Sequence, residues 1–90
     1  MDDLTLLHRL EELAQSLDID IRYENLESEK ANPAGGLCRI RGRHMIIINK
    51  NIPLNGKLSA LLKALKRFDL SGIYIKPALR ELFEKGVEEQ

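Results

Sequence analysis

The stretch GLCRIRGRHMIIINK, residues 36–50, sets two runs rich in aliphatic residues on either side of a single glycine, the pattern of a β-hairpin. Glycine at the first central position suits a two-residue type II′ turn over Gly42 and Arg43. That turn pairs Arg41 with His44, Ile40 with Met45, Arg39 with Ile46 and Cys38 with Ile47. Cys38, Ile40, Met45 and Ile47 then share one wholly apolar face, which is expected to meet the helices. The other face carries Leu37, Arg39, Arg41, His44, Ile46 and Ile48. Cations and aliphatics mixed in this way do not make an ordinary solvent face, and these six residues form the candidate interaction surface. Cys38 and His44 point to opposite sides of the sheet, so they cannot ligate one metal, and a buried structural thiol is the expected role of Cys38.

Outward from the hairpin, the chain before it opens with a helix. Leu6, Leu7, Leu10, Leu13, Ala14 and Leu17 recur at three- and four-residue spacing and lie on one stripe, with Asp2 or Asp3 as the cap. His8 falls off that stripe and reads as a solvated side chain. Ile19, Ile21 and Tyr23 alternate with Asp20, Arg22 and Glu24, the period of a strand with one buried face. Residues 25–36 (NLESEKANPAGG) are polar, contain Pro33 and end in two glycines, and are expected to form a mobile loop. Beyond the hairpin, Pro53 and Asn55-Gly56 close the strand. A helix is expected from about Lys57 to Phe68, burying Leu58, Leu61, Leu62, Leu65 and Phe68 and presenting Ser59, Lys63, Lys66 and Arg67 outward. Residues 73–75 fit a brief strand, and Pro77 suits the first position of a last helix that packs Leu79, Leu82 and Phe83 and ends at Gly86. The expected fold is one small α+β domain over residues 1–90: an N-terminal helix, a three-stranded, mainly antiparallel sheet with a central hairpin, and two C-terminal helices, with 87–90 as a tail.

Ninety residues bury only about 60 to 65% of the surface of the unfolded chain, so the core is small and self-association is expected. With 43% hydrophobic and 31% charged residues, the composition is that of a globular chain, and no apolar run approaches the roughly 20 residues of a membrane span. The acidic start, MDDLTLLHRLEEL, does not resemble a signal peptide, and one cysteine cannot form an internal disulfide; both point to the cytoplasm. The formal charge of zero conceals a sorted distribution. Residues 1–29 hold nine acids against two bases, a net of −7, whereas 30–80 hold eleven bases against Asp69 alone, a net of +10, and 81–90 return −3. Lys63, Lys66 and Arg67 form a candidate basic face, with Glu81 and Glu84 as the expected internal partners.

The phrases LAQSLDIDIRYENL, GGLCRIRGRHMIIINK and LSALLKALKRFDL, in the order helix, strand, loop, hairpin and helix, resemble the core of the ImmA/IrrE family of zincin-like peptidases over about residues 10–70. In that family the helix after the hairpin carries HExxH, whose two histidines bind zinc while the glutamate activates a water. The resemblance places Lys63 and Arg67 at the histidine positions and Ala64 at the glutamate position. Two cations repel zinc and alanine offers no base, so the resemblance implies a short, degenerate member with no metal, cofactor or catalytic residue.

No phosphate-binding glycine loop is present, and Ser16, Ser28, Ser59 and Ser71 have no histidine at a recognised spacing. The expected function is therefore non-enzymatic: a protein-interaction or regulatory module on a zincin-like scaffold. It would pair with itself as a dimer or bind another protein, for which the resemblance suggests a helix-turn-helix regulator. The alternative is a nucleic-acid-binding module using the basic segment 39–67, although aromatic residues for base stacking are few.

Overall fold

A computed structural model describes residues 2–26 and 35–86. The first helix, α1 (Asp3–Ser16), begins where Asp2 accepts a hydrogen bond from the Thr5 amide at 2.8 Å. This N-cap satisfies one of the free donors of the first turn, and the bond holds the Asp2 carboxyl below its ordinary range. The expected stripe packs inward: Leu7, Leu10 and Ala14 are buried, with Leu6, Leu13 and Leu17 against them. After a tight turn through Asp18, β1 (Asp20–Glu24) runs alongside the hairpin formed by β2 (Gly35–Ile40) and β3 (Arg43–Asn49). The order in the sheet is β1-β3-β2.

The domain is α+β, with its N-terminal helix, three strands and two C-terminal helices in the expected order. The sheet is evenly mixed rather than mainly antiparallel: β1 pairs with β3 in parallel, and β2 with β3 antiparallel. The hairpin turns one residue earlier than expected, at Arg41-Gly42, whose φ values of 52° and 80° are those of a type I′ turn. The type I′ twist matches that of the strands it joins, which offsets the cost of holding an arginine in left-handed backbone. The register slips by two residues as a result. Leu37 faces Ile46, Cys38 faces Met45, Arg39 faces His44 and Ile40 faces Arg43.

A two-residue slip keeps every side chain on its own face, but the face that meets the helices is the opposite of the one expected. Ile46 and Ile48 are fully buried, with Leu37 packed beside them, whereas Ile40 is 47% exposed. The parallel register decides this. Ile21 pairs with Ile46 and Tyr23 with Ile48, so the inward alternation of β1 selects the even-numbered residues of β3.

The second helix, α2 (Leu54–Leu65), starts three residues before the expected position, with Pro53 at its N-cap and Asn55-Gly56 inside its first turn. It also ends earlier. The Arg67 and Phe68 amides bond three residues back, to Ala64 and Leu65, a tightened exit that leaves Lys66, Arg67 and Phe68 beyond the helix. Leu58, Leu61, Leu62 and Leu65 are buried against the sheet layer and α1, as their spacing demands, and Ala64 joins them. Residues 73–75 form no strand; Ile75 turns into the core while Tyr74 stands 80% exposed. The last helix, α3 (Pro77–Lys85), has Pro77 in its first turn and ends at Gly86 with φ 82°. It contacts α1 and buries Leu79. Of the expected loop, Gly35 and Gly36 belong to β2, and residues 27–34 lie outside the described residues, as do 87–90. Gly35 is required where it stands: with φ 119°, a Cβ there would lie 1.9 Å from the Ile47 carbonyl oxygen.

Candidate functional site

The helices cover one side of the sheet, α2 over β3 and β2 and α1 over β1, and the shortest dimension of the molecule, 18 Å, accommodates one helical layer and one sheet. The other side is built from the residues that alternate with the core. Cys38 and Met45 are paired across the hairpin, with Ile47 on β3 and Ile40 near the turn. Cys38, Met45 and Ile47 are half-buried, and Ile40 is exposed. Asp20 lies beside Met45 and Arg22 beside Ile47 in the parallel register. Arg43 reaches Asp20 at 3.3 Å, and Arg22 reaches Glu24 at 2.9 Å. The outer face is thus an apolar stripe along β2 and β3, bordered on β1 by charges of both signs.

The candidate interaction surface divides. Ile46 and Ile48 are core residues, and Leu37 packs against them. His44 meets Phe68 edge-on, with ring centroids 4.9 Å apart, a favourable aromatic geometry. Arg39 and Arg41 remain exposed at the hairpin end. The six therefore do not make one surface, and the four residues expected to be inside stand outside instead. Cys38 and His44 lie on opposite sides of the sheet.

Lys63, Lys66 and Arg67 are exposed, and among the described residues none of them forms an ion pair. Glu81, an expected partner, instead accepts from Lys85 one turn along α3 at 2.9 Å, which holds its carboxyl below the ordinary range. The i,i+4 geometry favours that pairing over a partner on another element. Ala64 lies in the core, 5% exposed, and Arg67 stands past the end of α2. The three positions that the zincin resemblance aligns with HExxH thus do not share one helical face.

Three features, two of them polar, were not apparent in the residue pattern. Tyr23 donates to Glu11 across β1 and α1, and burial first, then that bond, raises its phenol above the ordinary range. Asn49, at the end of β3 and 6% exposed, accepts from the Asn51 amide at 2.9 Å, and the Asn51 side chain donates to Asn25 at 3.2 Å. Asparagine side chains commonly close chain turns in this way, and here they tie together the ends of the parallel pair. Lys66, Phe68, Leu70, Ile75, Arg80 and Phe83 line one cleft between the exit of α2 and α3. Among the described residues, no three histidine, cysteine or acidic side chains cluster to hold a metal, and no helix is long and apolar enough to cross a membrane. The chain matches no protein-family model, no curated protein and no solved structure.

Proposed function

We propose that the chain is a non-catalytic interaction module that pairs with a second copy through its open sheet face. The observation that carries this reading is the apolar stripe of Cys38, Ile40, Met45 and Ile47, which neither α1 nor α2 covers. A sheet with one solvated side ordinarily alternates apolar and polar residues, and β3 instead reads Met45-Ile46-Ile47-Ile48 without interruption. Covering the stripe with the same face of a second chain would stack two sheets about 10 Å apart with helices outside. Asp20 and Glu24 border the stripe beside Arg22 and Arg43, so the rim carries both signs and can complement itself about a twofold axis. A stable interface covers about 800 Å² per partner, a modest share of the 6204 Å² surface.

The order of α1, β1, hairpin and α2 supports reading the scaffold as a short relative of the ImmA/IrrE peptidases. Lysine, alanine and arginine at positions 63, 64 and 67 support the absence of their zinc chemistry. Ile47→Glu tests the pairing. Light scattering should find dimers of the natural chain at high micromolar concentration and monomers of the folded variant. A natural chain that stays monomeric, or one that binds a helix-turn-helix regulator instead, rules out self-pairing.

A second reading, nucleic-acid binding, is favoured by one observation: Lys63, Lys66 and Arg67 are exposed and unpaired among the described residues. Cations left open in this way are available to phosphates. Changing Lys63 and Arg67 together to glutamine should shift stability by no more than a few tenths of a kcal/mol and abolish retention on heparin. A variant that melts well below the natural chain would mean that the cations are internally paired.

A further inference from the structure

The cleft between the exit of α2 and α3 has a volume of about 290 Å³, near the lower limit of about 300 Å³ for small-molecule pockets. Both phenylalanines of the chain line it, each only partly buried, and Phe68 is braced by its edge-on contact with His44. Leu70 and Ile75 add apolar lining, and two cations join it, Lys66 from the end of α2 and Arg80 from α3. Neither cation has an ion-pair partner among the described residues. Arg67 follows Lys66 directly and is likewise exposed, whereas Lys76, at the start of α3, lines a separate cleft beside Arg9 and Glu12. Glu84 is the one acid in the lining.

Aromatic rings flanked by cations suit a ligand with a flat, apolar face and anionic groups attached to it. Single-stranded nucleic acid has that construction: bases stack on aromatic side chains while phosphates follow lysine and arginine. We infer that this cleft takes one base of a single strand, stacked against phenylalanine, with the flanking phosphates on Lys66 and Arg80. The inference rests on the nucleic-acid reading and adds to it a place where a base, rather than the backbone alone, is held. Glu84 gives the site a direction. Its carboxylate repels phosphate and accepts a hydrogen bond from an exocyclic amino group, as acids do with cytosine, so the base enters and the phosphates stay at the rim.

Fluorescence anisotropy of the full chain at low salt, with an oligo(dC) of about twelve nucleotides and an abasic phosphodiester of equal length and charge, tests the idea, because one base per chain is well within such a length. Oligo(dC) should bind about tenfold more tightly than the abasic strand, the scale of one base–aromatic stack. Phe83→Leu, confirmed folded by circular dichroism, should abolish that difference. Lys66→Gln with Arg80→Gln changes two exposed side chains and keeps the site testable should Phe83→Leu fail to fold. It should weaken both probes and reduce the logarithmic salt dependence by about 1.4, the share of two phosphate contacts on a single strand. Equal affinity for the two strands, or equal displacement of both by oligoglutamate, overturns the stacking site while leaving backbone binding intact. If neither strand binds, both the site and the nucleic-acid reading fall.

Discussion

Ile46 and Ile47 are adjacent, identical residues on β3, yet Ile46 is fully buried under the helices and Ile47 is only partly buried, on the open face. Nothing in the side chain distinguishes them. What does is the partner strand: Ile46 pairs with Ile21 and Ile47 with Arg22, so β1, with a polar and an apolar side, assigns sides to a β3 that has none. An apolar run commits a strand to burial, but it needs an amphipathic neighbour to say which half is buried within the chain and which half is left for something else.

The largest test of that difference compares alanine at the two positions. Ile46→Ala removes a fully buried side chain and should cost about 3 to 4 kcal/mol in urea unfolding. Ile47→Ala, measured at low chain concentration, should cost roughly 1 kcal/mol, because part of the side chain already meets water. At high concentration the Ile47 cost should rise if the open faces pair, since association stabilises the folded state by mass action. The Ile46 cost should not depend on concentration. Equal costs at both positions and at all concentrations would show that the two faces are buried alike, and the open face would cease to be a site.

The hairpin turn sharpens the comparison at a smaller scale. Arg41 holds a φ of 52° next to Gly42, and a residue carrying a Cβ is disfavoured there by roughly 1 kcal/mol, because the Cβ crowds the backbone carbonyl oxygen. Asparagine-glycine is the preferred pair for a type I′ turn, so Arg41→Asn should stabilise the chain by about 0.5 to 1 kcal/mol, read as a higher urea midpoint with an unchanged slope. In the alternative turn over Gly42 and Arg43, residue 41 is a strand position where asparagine is unfavourable, and the change would have the opposite sign. The sign therefore reports the register, and with it which residues stand opposite one another on each face.

Much of this architecture is legible in the residues, for physical reasons that also mark where legibility stops. Local periodicity is enough for α1, whose Leu7, Leu10 and Ala14 lie on the expected stripe, and for α3, whose Pro77 and Gly86 punctuate it as their backbone preferences require. The leucines of α2 likewise point inward. The two faces of the sheet are another matter, because the parallel pairing of β1 with β3 joins segments more than twenty residues apart and leaves no local trace. Residues 73–75 have the composition of a strand but pair with no strand among the described residues, and β-propensity yields to that absence. The basic residues 63, 66 and 67 are visible as a group, whereas only the fold shows that none of them forms an ion pair among the described residues and that Glu81 bonds Lys85 on its own helix. Phe68 lies just past α2 and Phe83 in α3, and only the fold makes them walls of one cleft.

The smallest effect concerns the charges beside the stripe, and it discriminates most finely between a bare face and a covered one. Arg43 and Asp20 are 3.3 Å apart, with side chains 64% and 50% exposed. An ion pair so solvated is worth about 0.3 kcal/mol or less, because water and salt screen the attraction and two flexible side chains must be held in place. Arg43→Gln and Asp20→Asn, singly and combined in a double-mutant cycle, should give a coupling of that size at low chain concentration, and added salt should erase it. If two open faces stack, the same pair moves from the edge of a wet surface to the rim of an interface. Screening is weaker there, so the coupling should grow with concentration and resist salt. A coupling near 1 kcal/mol even in dilute solution would mean that the pair is already sheltered within the single chain, and that the contrast between the two faces is smaller than their registers imply.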